Sequence, residues 1–487
     1  MTATHATHIR TRFGFLCWSA LAVAGATLAW LIWYSLQHIG AAPAAHLPPY
    51  WGIGIAPFAG VLACIALLPL LPPTRHWWER NRNRLIVSLT FAAMMILYYL
   101  LAQGAAAVPP MLAHAVVDEY VPFISLLFAL YVIAGGISLK GDLPAHPLTN
   151  TIFLAIGTGI ASFVGTTGAS MLLIRPLLQT NSERKHVTHT IVFFIFLVSN
   201  IGGTLLPIGD PPLFLGFLRG VPFEWTLVLW REWAFCCMIL LAIYFVWDSI
   251  VYNRESIPSI QRDELMRQPL RLRGLINFVW LLCVVLAVWQ IVPGRNLPIA
   301  NIQTARLVRE GVLLALVALS LLTTPRGVRE DNRFNYAAII EVAALFIGIF
   351  ITMQAPIAVL HALGGQAGID QPWQFFWATG ALSSVLDNAP TYVVFFETAN
   401  ALTHAPGPGI TNLVNGQFIR QDLLVAISLG AVFMGANTYI GNGPNFMVKA
   451  IAEQAGVKMP SFFGYVFKYA LPILIPLFVL VTVLFLL

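Results

Sequence analysis

The sequence predicts an all-α polytopic membrane protein built from two inverted repeats, each with a re-entrant hairpin and a broken helix. Composition gives the membrane class. Of the 487 residues, 58% are apolar and 10% are charged, against roughly 25% charged residues in soluble domains. The mean hydropathy is +0.78. A soluble fold needs more polar residues to cover its surface, so this class is excluded. The order of the apolar runs and the distribution of basic residues predict the repeats.

The first apolar run covers residues 13–36 and follows Arg10 and Arg12. It has the outline of a signal peptide, but it is longer than the apolar core of about 7–15 residues that such peptides contain. We therefore expect a retained membrane anchor, and we assign residues 1–50 to this helix and an outer loop.

Twelve further apolar runs follow, most of them long enough to cross a bilayer. Residues 51–250 form the first predicted repeat, with a hairpin near 148–178. Residues 274–487 form the second, with a hairpin near 373–397, and residues 251–273 form a cytoplasmic linker. Each repeat reads as three helices, a hairpin, a broken helix and a closing helix. The runs are 51–71, 85–102, 121–139, 148–178, 188–218, 225–250, 274–292, 308–324, 337–361, 373–397, 423–445 and 463–487.

The basic residues give an orientation. With a cytoplasmic N-terminus and two hairpins that do not cross, most loop arginines and lysines fall on the cytoplasmic side, as the positive-inside rule requires. The outer side receives Arg219, Arg295, Arg306, Arg309 and Arg420. This topology inverts the two halves, an arrangement found in many secondary transporters. It predicts a multi-pass protein of the bacterial plasma (inner) membrane that contacts lipid, and it explains the net charge of +6 without nucleic-acid binding.

Polar and glycine-rich interruptions of the apolar runs mark the candidate site, because non-helical backbone at membrane depth must be buried or line a cavity. The hairpins turn at residues 162–170 and 384–391, and the helices break at 199–212 and 436–444. Aligned on Asn200 and Asn437, the two breaks share an Ile-Gly-(Asp/Asn) step. The candidate ion-binding residues are Thr166, Thr167, Asn200, Thr204, Asp210, Asp387, Asn388, Asn437, Thr438 and Asn442.

Asp387 is the predicted centre of this site. A carboxylate inside the membrane is costly unless it has a function, and oxygen ligands suit hard cations such as Na⁺. We expect Asp387 and Asn388 to hold Na⁺, with the carboxylate binding either Na⁺ or a proton but never both. The alternative is that Asp387 only caps the hairpin tip. Asp210 equally suits a helix cap or an ion ligand.

Three of the other charged residues within apolar runs are candidates for a role. Glu341 and Glu397 are candidates for a proton relay or for structural ion pairs, and Arg175 is expected to pair with an acid or to extend to the cytoplasmic interface. The chain lacks a His-Glu-x-x-His motif and a phosphate-binding glycine-rich loop with lysine. The sequence therefore predicts no enzymatic activity and no resident cofactor beyond transported Na⁺ and H⁺.

The strings at 167–176, 200–204, 207–212 and 386–391 resemble the sodium/proton antiporter family of the ion-transporter superfamily, from about residue 50 onward. That superfamily also includes citrate carriers, divalent-anion/sodium symporters and arsenite pumps. The resemblance implies an elevator-type carrier in which hairpins and broken helices move against a scaffold, and a homodimer formed through that scaffold.

The dicarboxylate symporters of this superfamily carry Ser-Asn-Thr in each half. Here the counterparts are Ser199-Asn200-Ile201 and Ala436-Asn437-Thr438. Asp387 would also repel an anion unless a cation neutralised it. The sequence thus favours Na⁺(Li⁺)/H⁺ antiport, and a citrate or dicarboxylate carrier coupled to Na⁺ or H⁺ is the alternative.

Overall fold

The computed structural model describes residues 25–34, 47–69, 71–265, 267–292, 307–363, 368–403 and 405–487. Residues 25–34 are helical (α1), and the rest of the predicted anchor run lies outside the described residues. The question of a retained anchor or a cleaved segment therefore stays at the level of prediction.

The first half of the chain is almost entirely helical. Its elements are α2 Trp51–Leu67, α3 Pro72–Trp78, α4 Asn81–Ala102, α5 Val108–Ala113, α6 Val121–Ala134, β1 Ser138–Asp142, α7 Pro147–Val164, α8 Thr166–Thr180, α9 Thr188–Leu197, α10 Pro211–Leu218 and α11 Trp230–Tyr252. A 3₁₀ turn at Ala105–Ala107 and a π turn at His114–Tyr120 join α5 and α6 into one helical run, Ala105–Ala134.

The second half is also mainly helical. The linker contains α12 Ile257–Leu265 and β2 Gln268–Arg273, and the elements after it are α13 Ile276–Gln290, α14 Val308–Thr323, α15 Val328–Asp331, α16 Ala337–Thr352, α17 Gln354–Leu363, α18 Pro372–Val385, α19 Asn388–Ala401, β3 Ile410–Asn412, β4 Phe418–Arg420, α20 Gln421–Met434, α21 Gly443–Gln454, α22 Phe462–Tyr465 and α23 Leu471–Val481. Two π turns, Val466–Ala470 and Thr482–Leu486, extend the last helix to Phe462–Leu486.

Within the described residues, five helices are long and apolar enough to cross a membrane, or up to seven if two bent pairs are each one span. The five are Asn81–Ala102, Ala105–Ala134, Pro147–Val164, Phe223–Tyr252 and Phe462–Leu486. Many of their large apolar side chains, such as Leu97, Met238 and Phe467, are exposed on the protein surface. This surface is suited to contact with lipid, and the chain is a multi-pass helical membrane protein.

Each predicted hairpin region contains two consecutive helices joined by a short turn. In the first, α7 and α8 are separated by Gly165 alone, whose φ of +76° favours glycine. In the second, α18 and α19 are separated by Leu386 and Asp387. Pro390 lies in the first turn of α19, where a missing N–H is tolerated. Each hairpin contacts the interrupted helix that follows it in sequence.

The linker is more structured than its sequence indicates. Strand β2 pairs antiparallel with β1, so the linker is tied to the segment between α6 and the first hairpin. Asp331 accepts hydrogen bonds from Lys140 at 2.8 Å and from Arg273 at 2.6 Å. These bonds, that of Lys140 first, hold the pKa of Asp331 below its ordinary value.

A buried polar cluster joins the open end of the first hairpin to α11. Asp248 is fully buried and accepts from both Arg184 nitrogens, at 2.6 and 3.1 Å. It also bonds His189 Nε2 at 2.8 Å and accepts from Asn150 at 3.3 Å and Tyr244 at 3.2 Å. Arg184, which the topology placed in a cytoplasmic loop, is therefore a buried ion-pair partner.

Replacing Asp248 with alanine should destabilise the protein by about 3–5 kcal/mol, since it leaves the buried Arg184 guanidinium without its countercharge. The measurement is thermal unfolding in detergent. Glu79→Ala is the matched control, because the Arg75–Glu79 pair is more than half exposed and such pairs contribute about 0–1 kcal/mol. Equal effects of the two substitutions would contradict a structural role for the buried pair.

Candidate functional site

Two interrupted helices meet at the centre of the protein. The first breaks between α9 and α10, with a 3₁₀ turn at Ile201–Thr204, and the second between α20 and α21, with a 3₁₀ turn at Gly435–Asn437. Asp210 and Asn442 occupy the N-cap positions of the resuming helices, but neither side chain makes a capping hydrogen bond. Both side chains are instead available for tertiary contacts.

Asp210 is the carboxylate at which the hairpins and breaks converge. Its side chain accepts hydrogen bonds from Thr166 Oγ1 at 2.8 Å, Asn388 Nδ2 at 2.6 Å and Asn442 Nδ2 at 2.9 Å. These donors come from the first hairpin tip, the second hairpin tip and the second break. Only 1% of Asp210 is exposed. One carboxylate thus bonds to all three other elements of the predicted site.

No lysine, arginine or histidine bonds to Asp210 in the described part of the chain. A buried carboxylate without a cation is costly, and either a proton or a bound cation removes that cost. The N-terminal ends of α8, α10, α19 and α21 lie at this site, and each helix end stabilises a nearby negative charge by typically 0.3–1 kcal/mol. These partial charges offset part of the desolvation cost of an ionised carboxylate, which is several kcal/mol.

Two amide oxygens of the same network have no donor. Asn388 Nδ2 donates a hydrogen bond to the Asp210 carboxylate. The Oδ1 atom of Asn388 is buried and has no hydrogen-bond partner within the described residues. Asn200 gives its Nδ2 to Ile195 O and to Asn445 Oδ1, both at 2.7 Å, and its Oδ1 is likewise buried and unpartnered. Buried polar atoms are normally hydrogen-bonded. Oxygen atoms are the ligands that hard cations prefer, and Asn388 Oδ1 belongs to the side chain that bonds the Asp210 carboxylate.

The two breaks have the same close backbone packing. A Cβ on Gly209 would lie 2.2 Å from Gly203 O, and a Cβ on Gly441 would lie 2.6 Å from Gly435 O. Both breaks thus close through two glycines six residues apart in sequence.

One serine of each hairpin contacts the break that follows it. Ser162 Oγ donates to Gly202 O at 2.6 Å and accepts from Leu205 N, whereas Ser384 Oγ lies 2.7 Å from Gly380 O and 3.1 Å from Met434 O, one of which receives its proton, and accepts from Asn437 Nδ2. These contacts align Asp210 with Asn442 and Leu205 with Asn437. The predicted alignment of Asn200 with Asn437 is therefore displaced, because it followed residue type and not the glycine contacts.

Asp387 lies at the hairpin tip but is not the centre of the network. Its Oδ1 accepts from Ala389 N at 3.1 Å, so its side chain caps α19, and it is half-buried. The sequence left capping and ion binding open for both aspartates. The geometry gives the capping contact to Asp387 and the central contacts to Asp210.

The remaining candidates surround this centre. Thr204 donates to Ile201 O within the first break, and Thr438 donates to Ser384 O at the second hairpin, both at 2.6 Å. Asn437 donates to Ser384 Oγ at 2.9 Å and leaves its own Oδ1 without a donor. Thr167 stands in the first turn of α8 and is half-buried.

Asn445, which is not among the predicted site residues, is fully buried and links the two breaks. It accepts from Asn200 and donates to Gly435 O and Thr438 O, both at 2.9 Å. Its signal in the sequence was its place directly after the Gly-Pro step of the second break. The described residues contain no group of three or more His, Cys, Asp or Glu side chains suited to a transition-metal ion.

The candidate relay acids form ion pairs. Glu341 pairs with Arg84 at 2.8 Å. Glu397 pairs with Arg219 at 2.8 Å and with His361 at 2.7 Å. Arg219, placed by the topology in an outer loop, is thus buried in an ionic cluster. Arg309, also placed there, is buried beside Glu310.

Arg175 has no acidic partner within the described residues, and its Nη1 is buried without a hydrogen bond. Pairing with an acid is therefore wrong for this side chain in this part of the chain, and the alternative that it extends toward an interface stays a prediction.

A multi-helix membrane protein whose buried centre consists of two helix breaks and two hairpin tips has the organisation of a membrane transporter. The chain belongs to the family described as "Putative citrate transport", whose model matches residues 45–486. This assignment gives the protein a transporter role and not an enzymatic one.

Curated relatives agree with that class. The chain is 25% identical over 341 residues to an uncharacterized transporter of Mycobacterium tuberculosis and, with the same figures, to one of Mycobacterium bovis, covering 66% of this chain and 73% of each relative. It is 22% identical over 362 residues to an uncharacterized transporter of Synechocystis, covering 67% of this chain and 77% of the relative. None of these names gives an ion or a substrate.

Proposed function

We propose that the protein is a secondary transporter that exchanges Na⁺ or Li⁺ for protons, with Asp210 as the shared binding group. The observation that carries this proposal is a fully buried carboxylate that bonds only to neutral donors. A cation and a proton each neutralise this carboxylate, and the two compete for it. Competition at one group couples the two fluxes without a further device.

The free oxygens define the cation. Asn388 Oδ1 belongs to the residue that holds Asp210, and Asn200 Oδ1 belongs to the break that precedes it. The Asp210 carboxylate and Asn388 Oδ1 are oxygen ligands, which suit Na⁺ and Li⁺ and not thiolate- or imidazole-preferring metals. The assignment of Na⁺ to Asp387 and Asn388 is thus revised in this proposal to Asp210 and Asn388, with Asp387 capping α19.

Alternating access follows from the repeated architecture. The contacts of Ser162 and Ser384 with the breaks, and the matching contacts of the two glycine pairs, support two inverted repeats related through Asp210 and Asn442. In this proposal the hairpins and broken helices move as an elevator against the other helices. The N-terminus is cytoplasmic, the membrane is the bacterial inner membrane, and two copies associate through the static helices.

A citrate-like carboxylate carrier is the second candidate. It is supported by the description of the family and by the four helix N-termini at the site, which favour an anionic ligand. In that case Asp210 would bind the coupling cation, and the carboxylate substrate would lie against the helix ends.

The deciding experiment uses purified protein in proteoliposomes that contain a pH-sensitive dye. An inward proton gradient is imposed, and Na⁺, Li⁺, K⁺ or citrate is added in separate runs. We expect Na⁺ and Li⁺ to dissipate the gradient in a saturable manner and K⁺ to have little effect. If none of the three cations changes the dye signal and labelled citrate is taken up saturably, the protein is a carboxylate carrier and not a cation/proton exchanger.

A further inference from the structure

A second buried cluster of ionisable groups, the Arg219 cluster, lies apart from Asp210. It consists of Glu119, Arg219, Gln354, His361 and Glu397. Arg219 donates from Nη2 to Glu119 at 2.5 Å and from Nε to Glu397 at 2.8 Å. Gln354 donates to the second Glu119 oxygen at 3.0 Å, and His361 Nε2 lies 2.7 Å from the second Glu397 oxygen. All four carboxylate oxygens are therefore bonded.

The charges of this cluster balance only with a proton. Glu119 and Glu397 are two carboxylates, and the side chains of Glu119, Arg219 and Glu397 are each less than a tenth exposed. Arg219 supplies one permanent positive charge. His361 is the group that can supply the second, because its side chain is about a third exposed and can exchange a proton with solvent. Without that proton, the cluster keeps one uncompensated buried negative charge.

The cluster connects the helices that carry the Asp210 site to two helices that do not. Arg219 follows α10, which begins after Asp210, and Glu397 lies on α19, which begins at Asn388. Glu119 belongs to the helix Ala105–Ala134, and His361 belongs to α17. At 1.5 Å per residue, the cluster lies roughly 13 Å along α10 and α19 from the site. The Arg219–Glu119 and His361–Glu397 pairs each join a helix that begins at the site to a helix outside it, and the Arg219–Glu397 pair joins the two site helices to each other.

We propose that the Arg219 cluster is a proton-binding latch, in which a proton on His361 completes the charge balance and holds α10 and α19 against Ala105–Ala134 and α17. Release of the proton leaves Glu397 and Glu119 to share Arg219 and weakens the contact between α17 and α19. The effect on transport rests on the exchange function proposed above, because the latch restrains the helices that would move. The proton site itself does not depend on that function.

Other titratable groups face the cluster and must be separated from His361. His114 and Asp118 lie on the helix Ala105–Ala134 and contact each other at 3.5 Å. Tyr392, on α19, is close enough to Arg219 and Glu397 to interact electrostatically with both. These groups are unchanged in His361 variants, so the difference between wild type and variant isolates the contribution of His361.

The first test does not use transport. The thermal unfolding midpoint of the full chain in detergent is measured from pH 5.5 to 8.5 for wild type, His361→Gln, His361→Lys and Glu397→Gln. A proton bound in the native state stabilises at low pH, and that contribution disappears as the pH rises. We expect the midpoint difference between wild type and His361→Gln to shrink toward alkaline pH. His361→Lys should keep the wild-type stability at all pH values. Glu397→Gln removes the carboxylate that contacts His361, so its unfolding midpoint should lack the pH-dependent contribution of His361.

His76→Gln is the matched control, since His76 also pairs with a glutamate but is largely exposed. It should follow the wild-type curve. Parallel curves for wild type and His361→Gln would overturn the proton site, as would His361→Lys behaving like His361→Gln.

The second test measures exchange in proteoliposomes at alkaline pH. A fixed charge at position 361 should keep the latch closed, so His361→Lys should transport at least about fivefold more slowly than wild type, the lower end of typical coupling between sites. Wild-type rates in His361→Lys, with its stability retained, would overturn the latch. If wild type shows no exchange at all, the proposed function fails, and the unfolding curves still decide the proton site.

Discussion

Replacing Asp210 with asparagine should abolish Na⁺-driven proton exchange, with a loss of at least about 100-fold, while the protein still folds. Asparagine has nearly the same shape, and its remaining oxygen can accept from Thr166 and Asn442, which share one carboxylate oxygen. Its new NH₂ group would face Asn388, whose amide can turn over to present its free Oδ1. The hydrogen-bond network is therefore repaired, and only the charge is lost. Removing one member of a buried charge pair costs about 3–5 kcal/mol, more than the factor of 100 requires.

Asp387→Asn is the matched control for this prediction. It makes the same chemical change one residue before Asn388, but asparagine is as good a helix cap as aspartate, so exchange should stay within about threefold of wild type. Both variants are compared by initial rates of dye response, and by the rise in unfolding temperature that Na⁺ produces. Loss of exchange in Asp387→Asn with full activity in Asp210→Asn would move the cation to the hairpin tip, where the sequence first indicated it.

The choice between these two aspartates shows what local sequence can and cannot determine. Both occupy the N-cap position of a helix, so the local sequence predicts a cap at each. They differ in tertiary contacts, because the donors to Asp210 stand 44, 178 and 232 residues away in sequence. The local sequence does not indicate which of two similar N-cap side chains points toward such distant groups. Interruptions of helices, in contrast, follow from glycine, proline and asparagine within a few residues, and the helices do end near 165, 198, 386 and 434.

Charged residues near the ends of apolar runs have partners that the sequence did not indicate. Hydropathy assigns Arg184, Arg219 and Arg309 to loops, because each lies where an apolar run begins or stops. In the structure each has a carboxylate partner and is buried. A partner such as Glu119, exactly 100 positions from Arg219 in sequence, is invisible to a count of charges along the chain. The predicted orientation therefore depends on the other loops, and it stays a prediction.

Gly209→Ala should also abolish transport, for a reason that involves no charge. The added Cβ would lie 2.2 Å from Gly203 O and 3.0 Å from the Cα of Ser162. Both neighbours are backbone atoms, and neither can turn away as a side chain can. The break must open, which displaces Asp210, the next residue. Overpacking of this kind costs about 1–3 kcal/mol, and a displacement of about 1 Å at a reacting group can reduce a rate by about 100-fold. Initial exchange rates and the unfolding midpoint measure the two effects.

Substitutions of two further glycines test whether the loss of transport comes from close backbone packing or from a general intolerance of substitution. Gly443 stands next to Asn442 at the other break, and a Cβ there would meet no atom within 4 Å, so Gly443→Ala should transport at the wild-type rate. Gly441→Ala places its Cβ 2.6 Å from both Gly435 O and Ser383 O and should fail as Gly209→Ala does. If the two breaks are equivalent halves of one site, these two variants must lose activity together. If Gly209→Ala is inactive and Gly441→Ala is active, the first break alone forms the binding element. Only the glycine contact of the first break would then be needed for transport.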